Sequence, residues 1–288
     1  MPHSKASAAV SPIHPLPVVF SHANSFPLPT YRLLFELLAR RGIAADGVQR
    51  FGHDPQRPVT NNWPHLVDEL IAFAELQVQR LGQPVYLVGH SLGGMLSFMA
   101  ASKRPDLARG VLLLDSPLLG GWKANAVSLA KQTQIVGSLS PGKISQRRRH
   151  TWASNAEALE HFRHKKAFAH WHPQVLQDYV EHGLVDEHGK RSLYFTREVE
   201  TAIYNTLPSN LNSQLRRHPV RCPVSFIGGR ASVEMRQVGM EMTERITRSR
   251  IMMLDGGHLF PMERPEATAA AIEAALLNQE HSLTLHKA

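Results

Sequence analysis

The sequence predicts an α/β fold: a mostly parallel central sheet with helices on both faces and a helical segment inserted into it. Three observations carry this reading. Short apolar runs alternate with helix-patterned stretches, the rhythm that builds a parallel sheet covered on both faces. The clearest runs, such as residues 84–88 and 111–114, are apolar without interruption, as strands buried on both faces require. The rhythm stops after residue 116 and resumes near residue 219, so the stretch between them is an insertion.

The elements follow in order. Residues 1–15 are polar and broken by proline, and read as a loose tail. Pro17-Val-Val-Phe20 is the first strand and runs into Ser21-His-Ala-Asn24. Tyr31 to Arg41 is helical by composition, and Gly42 stops it. Residues 43–51 give a weaker strand. Trp63-Pro64 opens a long helix with apolar residues at 63, 66, 67, 70, 71, 74, 78 and 81, a spacing of threes and fours that ends at Gly82. Pro84 to Val88 is a buried strand, Ser91 to Lys103 a helix, and Val111 to Leu114 a second buried strand. Residues 117–218 carry helical stretches and almost no strand signal. Then Pro223 to Ile227 is a strand, 232–246 a helix, Arg250 to Leu254 a strand, and Pro265 to Gln279 an Ala-rich helix with proline at its start. The division is a tail over 1–15, a core over 16–116 and 219–288, and a helical cap over 117–218.

Composition narrows the classes of function. Hydrophobic residues are 43% and charged residues 19%, which supports a packed core and excludes global disorder. No apolar run reaches the roughly 18 residues of a membrane helix, and the first fifteen residues lack an apolar signal core. A single cysteine, Cys222, excludes an internal disulfide and a multi-cysteine metal cluster. These features point to the cytoplasm, without membrane insertion. The formal charge is +8, and 14 Lys and Arg against 8 Asp and Glu place +6 of it between Pro117 and His218. Arg147, Arg148 and Arg149 are consecutive there. Such a run is a solvated face or a field that draws an anionic substrate toward a site beneath it. No helix-turn-helix, zinc finger or aromatic ribonucleoprotein motif makes nucleic acid a partner. The oligomeric state stays open.

Gly89-His90-Ser91-Leu92-Gly93 has the form G-x-S-x-G directly after a strand and directly before a helix, the context in which that serine is a nucleophile. The serine occupies a sharp turn, so small residues must stand two positions before it and two after it, here Gly89 and Gly93. The following helix aims its free N–H groups and positive dipole end at the serine. A serine hydroxyl needs a base. Among seventeen histidines the candidate is His258 of Asp255-Gly-Gly-His258, just after the last strand, because sites of α/β sheets lie at the carboxyl ends of strands. His90 adjoins the nucleophile and points away from it, and His22 reads as a brace. Acyl transfer also needs N–H donors for an oxyanion. Leu92, after the nucleophile, and Asn24, after the first strand, supply the candidates.

His22-Ala-Asn24, Gly89-His-Ser-Leu-Gly-Gly94, and Gly257-His258 followed by Pro261, Glu263 and Pro265 together resemble the α/β-hydrolase fold of the esterase and lipase superfamily with a helical cap, over about residues 15–280. The resemblance implies a Ser-His-acid triad with no metal and no organic cofactor. It also implies the chain order nucleophile, acid, histidine. Relatives with an aspartate nucleophile cleave haloalkanes or epoxides. Serine at 91 favours ester chemistry.

The acid departs from the pattern. Most relatives place an aspartate three residues beyond a glycine after the strand that follows the cap, and here Gly228-Gly-Arg-Ala231 puts alanine there. Asp115, at the end of the strand before the cap, is the first candidate and Glu234 the alternative. Asp255 is too near His258 in sequence, and a site without an acid is the remaining case. Cap aromatics, Trp122, Trp171 and Tyr179 among them, are candidates for lining a pocket. The expected function is a serine hydrolase acting on a carboxylic ester or thioester. The expected substrate is a small molecule with an apolar acyl group and an anionic handle. Carbon–carbon hydrolysis or a lyase reaction on the same site, or a non-catalytic binding protein, are the alternatives.

Overall fold

The computed structural model describes residues 16–118 and 141–285. Six strands form one sheet: β1 (Leu16–Ser21), β2 (Ile43–Asp46), β3 (Val85–His90), β4 (Ala108–Leu114), β8 (Val224–Gly229) and β9 (Ile251–Leu254). Their order is β2-β1-β3-β4-β8-β9, and every pairing is parallel. All six residues of β3 are buried, which is why its sequence shows no polar alternation.

Two hydrophobic clusters flank the sheet. Helix α1 (Arg32–Ala39) and the helix Pro265–Leu285 pack on one face through Leu34, Leu38, Ile272 and Leu276. Helices α2 (Pro64–Leu81) and α3 (Leu92–Lys103) pack on the other through Leu66, Leu70, Leu96 and Phe98. The buried residues of α2 recur at threes and fours, and Gly82 ends the helix at φ 68°, a left-handed cap that glycine adopts without a Cβ clash. Helix α3 is buried on almost all sides, so it behaves as a core element rather than an amphipathic one. The expected helix over 232–246 is two helices, Val233–Val238 and Glu241–Thr247, broken at Gly239 with φ 82°.

Strands β4 and β8 are neighbours in the sheet, and the described residues of the insertion between them stand outside it. That insertion is not wholly helical. Beside its helices it folds a three-stranded antiparallel sheet, ordered β5 (Thr151–Trp152), β7 (Lys190–Leu193) and β6 (Leu184–Glu187). These strands are short, and Asp186, Glu187 and Lys190 are exposed, so no apolar alternation announced them. No helix among the described residues is long and apolar enough to cross a membrane.

Glu69 on α2 accepts from the Gly52 N–H at 3.2 Å, and burial pushes its carboxyl up to about 7. A carboxyl raised in this way favours folding while protonated. That contribution is lost as pH rises through about 7. Glu69→Gln is therefore expected to raise the melting temperature by a few degrees at pH 8 and by less at pH 5, as read by thermal scans.

Candidate active site

The carboxyl ends of β1, β3, β4, β8 and β9 converge on one place. Ser91 follows β3 with φ 54° and ψ −116°, a strained turn for a residue with a Cβ. Glycine makes the turn possible. A Cβ on Gly89 would lie 2.2 Å from the Gly93 carbonyl, and one on Gly93 would lie 1.9 Å from the Ser21 oxygen. The turn is fastened by the Ser91 N–H on the Leu114 oxygen at 3.0 Å and the Ser116 hydroxyl on the Ser91 oxygen at 2.7 Å.

His258 lies in the loop after β9. Its Nε2 is 2.9 Å from Ser91 Oγ, and its Nδ1 is 2.6 Å from Asp115 Oδ2. A carboxylate only accepts, so Nδ1 carries the proton and the Nε2 lone pair faces the serine hydroxyl. Asp115 follows β4 with φ 41° and is fully buried. Its Oδ1 accepts from the Gly229 N–H at 2.8 Å, and its Oδ2 also accepts from the Ser232 hydroxyl at 2.6 Å. Buried Ser232 in turn accepts from the Met235 N–H at the start of its helix. Three donors thus hold one buried carboxylate in place.

The other carboxylates stand apart. Glu234 Oε2 is 3.9 Å from His258 Nδ1, with its side chain half exposed. Asp255 is 87% exposed and lies against Arg230. Ala231, in the position the resemblance assigned to the acid, gives only its backbone N–H to the Gly256 oxygen. Asp115, Glu234 and His258 do offer ligand atoms within 4.8 Å of one another. A metal on Nδ1 would break the 2.6 Å bond to Asp115 and move the proton to Nε2, removing the acceptor that faces Ser91.

The loop after β1 completes the site. Among the described residues, no acceptor is bonded to the backbone N–H of Asn24 or of Leu92. The Asn24 side chain donates to the Glu200 oxygen at 3.2 Å, and the Ser25 hydroxyl donates to Glu200 Oε1 at 2.6 Å. Glu200 lies on the insertion helix Arg197–Asn205, so that helix is tied to this loop. The Ala23 N–H donates to the Tyr31 hydroxyl at 3.0 Å, which bonds His90 Nδ1 at 2.8 Å, while His90 Nε2 bonds the His258 oxygen at 2.9 Å. A carbonyl only accepts, so His90 is protonated on Nε2, and Tyr31 donates to Nδ1. Burial, with His258 nearby, lowers the His90 pKa to about 3, so the ring stays neutral. His22, lowered to about 4 by burial, accepts from the Phe51 N–H and bonds the Ala23 oxygen. It braces the loop.

The proposed pocket aromatics are placed differently. Trp122 lies outside the described residues. Trp171 and Tyr179 are 6% and 0% exposed and pack with Phe26, Phe162 and Phe168. They belong to the same buried cluster as Phe20, Leu28 and Tyr31 of the main fold, because aromatic rings on adjoining short elements bury each other. The basic run is also committed locally. Arg148 pairs with buried Glu200 and Arg149 with Glu157. Sequence reasoning missed Ser232, Tyr31 and Glu200. A serine before a helix was legible as a cap for Ser232. Tyr31 and Glu200 meet partners far along the chain and left no local signal.

Residues 18–271 match the family model described as "Alpha/beta hydrolase family". A curated relative, the monoglyceride lipase of Rattus norvegicus, is 29% identical over 106 residues. That match spans about a third of each protein, 35% of this chain and 35% of the lipase. Among solved structures, an E-2-(acetamidomethylene)succinate hydrolase superposes with TM-score 0.66 at 19% identity, covering 91% of each chain. The thioesterase domain from the curacin biosynthetic pathway gives TM-score 0.63 at 21% identity, covering 91% of this chain and 92% of that one. At these identities the likeness is one of fold.

Proposed function

Because the chain belongs to the α/β-hydrolase family, we propose that it is a serine hydrolase that cleaves a carboxylic ester or thioester through an acyl-enzyme on Ser91. The observation that carries this reading is the unbroken chain from Asp115 through His258 to Ser91, at 2.6 and 2.9 Å. A monoglyceride lipase relative, matched over about a third of each protein, supports the same chemistry.

His258 Nε2 takes the Ser91 proton as Oγ attacks the substrate carbonyl carbon. Asp115 holds the ring in the required tautomer and stabilises the imidazolium. The carbonyl oxygen, now negative, is met by the N–H groups of Leu92 and Asn24, aided by the N-terminal end of α3. The intermediate collapses, the carbon–oxygen or carbon–sulfur bond breaks, and His258 returns the proton to the leaving alcohol or thiol. Water then repeats the attack on the acyl-enzyme and releases the acid. The insertion over 117–218 acts as a cap above this site. The expected anionic handle draws no support from Arg148 and Arg149, which hold their own carboxylates.

The test is a panel of acyl esters and thioesters with wild type and Ser91→Ala, together with mass spectrometry after a phosphonate probe. Turnover abolished in the variant and an adduct on Ser91 are expected. No turnover and no adduct would refute the reading.

Tyr31→Phe probes the bracing of the oxyanion loop. It leaves the Ala23 N–H and His90 Nδ1 without partners, at about 1–3 kcal/mol for each buried group. The expected result is a kcat lowered by roughly tenfold with KM little changed, since Ala23 precedes Asn24. An unchanged kcat would show that this chain of bonds does not position the loop.

A further inference from the structure

A cavity of about 540 Å³ opens at the foot of β8, among residues that include Pro223 and Val224. This is the amino end of the strand, opposite the end that meets Asp115 and Ser91. Its size falls within the range of small-molecule sites, roughly 300–1,000 Å³. Arg221, Arg245, Arg248 and Arg250 surround it, and no Asp or Glu lines it. Val220 and Ile246 supply an apolar floor.

The charge is uncompensated, and the sequence shows why. No Asp or Glu occurs between Glu200 and Glu234, nor between Glu244 and Asp255, and these two stretches supply nearly all of the wall. Arg104, Arg109, Arg148 and Arg149 each hold a carboxylate elsewhere. Arg221, Arg245 and Arg248 form no ion pair among the described residues. Among the described residues Arg250 donates to the Thr247 oxygen at 3.5 Å and to the Ser282 hydroxyl at 3.4 Å. Guanidinium groups gathered without counter-charge repel one another, and together they attract an anion. The backbone at the rim is also unusual. Arg248 and Ser249 have φ of 50° and 63°, consecutive left-handed residues other than glycine, a conformation that persists only where its surroundings enforce it.

We propose that this recess binds an organic phosphate. Arg221, Arg245 and Arg248 take the phosphate oxygens, and the apolar body of the ligand lies on Val220 and Ile246. A phosphate carries close to two charges at neutral pH and accepts the planar fork of arginine, which suits several guanidinium groups better than one carboxylate does. A bare phosphate would leave the apolar floor uncovered. The site is remote from Ser91, so the proposal is independent of the hydrolase reading.

Calorimetric titration of the full chain with ADP, and separately with inorganic phosphate, tests it at low salt. Saturable binding of ADP, tighter than that of phosphate, is expected. Arg221→Ala/Arg245→Ala should weaken ADP by about tenfold or more, while Arg40→Ala/Lys190→Ala, which removes equal charge from exposed positions elsewhere, should leave it within about twofold. Unchanged melting temperatures would show that both variants fold. The proposal is overturned by absence of saturable ADP binding, by equal losses in both variants, or by phosphate binding as tightly as ADP. Attachment to phosphatidic acid vesicles without ADP binding would likewise overturn a small-molecule ligand in favour of a lipid surface.

Discussion

Asp115→Asn is expected to lower kcat by about ten-thousand-fold while leaving the protein folded. The asparagine keeps an oxygen for the Gly229 N–H, a bond of 2.8 Å in the native chain. Its amide then faces His258 Nδ1 where a carboxylate oxygen stood at 2.6 Å. An amide donates, so Nδ1 must become the acceptor and Nε2 must carry the proton. The atom that faces Ser91 then donates and no longer accepts, and the base is lost. Glu234→Gln should change kcat by no more than about threefold, because a half-exposed carboxylate 3.9 Å away is screened by water. Steady-state kinetics on the best ester, with melting curves to show folding, decide between them. A large loss in Glu234→Gln and none in Asp115→Asn would reverse the assignment.

Gly93→Ala is expected to prevent folding, with soluble yield collapsing or more than about 4 kcal/mol lost in urea titration. The added Cβ would sit 1.9 Å from the Ser21 oxygen and 2.3 Å from its carbonyl carbon. Both neighbours are backbone, so no side-chain rotation relieves the contact. Strand β1 and helix α3 would have to separate, and both belong to the buried core. A soluble variant of near-native stability would show that the elbow tolerates far more separation than its geometry implies.

The core strands were legible because burial on both faces writes itself as uninterrupted apolar sequence, as in Val85 to Val88. Ser91 and His258, the proposed nucleophile and base, were singled out by glycine spacing and by their places after strands, and their side chains meet at 2.9 Å. For the acid the sequence put Asp115 ahead of Glu234 by its place at a strand end, but the bonds that hold it were not legible: β4 pairing with β8 brings the Gly229 N–H and the Ser232 hydroxyl to Asp115 across more than a hundred residues. Local patterning holds no record of such a meeting. Strands β5 to β7 escaped notice because their outward residues are charged. Trp171 and Tyr179 are buried among other rings, and an aromatic ring reads alike in a pocket wall and in a core.

The pairing of Leu114 with Ile227 closes a loop of 113 residues, and the cost of closing a chain grows only with the logarithm of its length. Doubling that loop would cost the sheet about 0.6 kcal/mol. Asp115 and Ser232 face each other from the two rims of the insertion, fastened to adjacent strands beneath it. Lengthening the insertion therefore costs the sheet little, while the bonds among Asp115, His258 and Ser91 keep their distances. Growth in that stretch of chain is thus cheap for the strands that carry the proposed site, whereas loss of Glu200 would release the loop after β1.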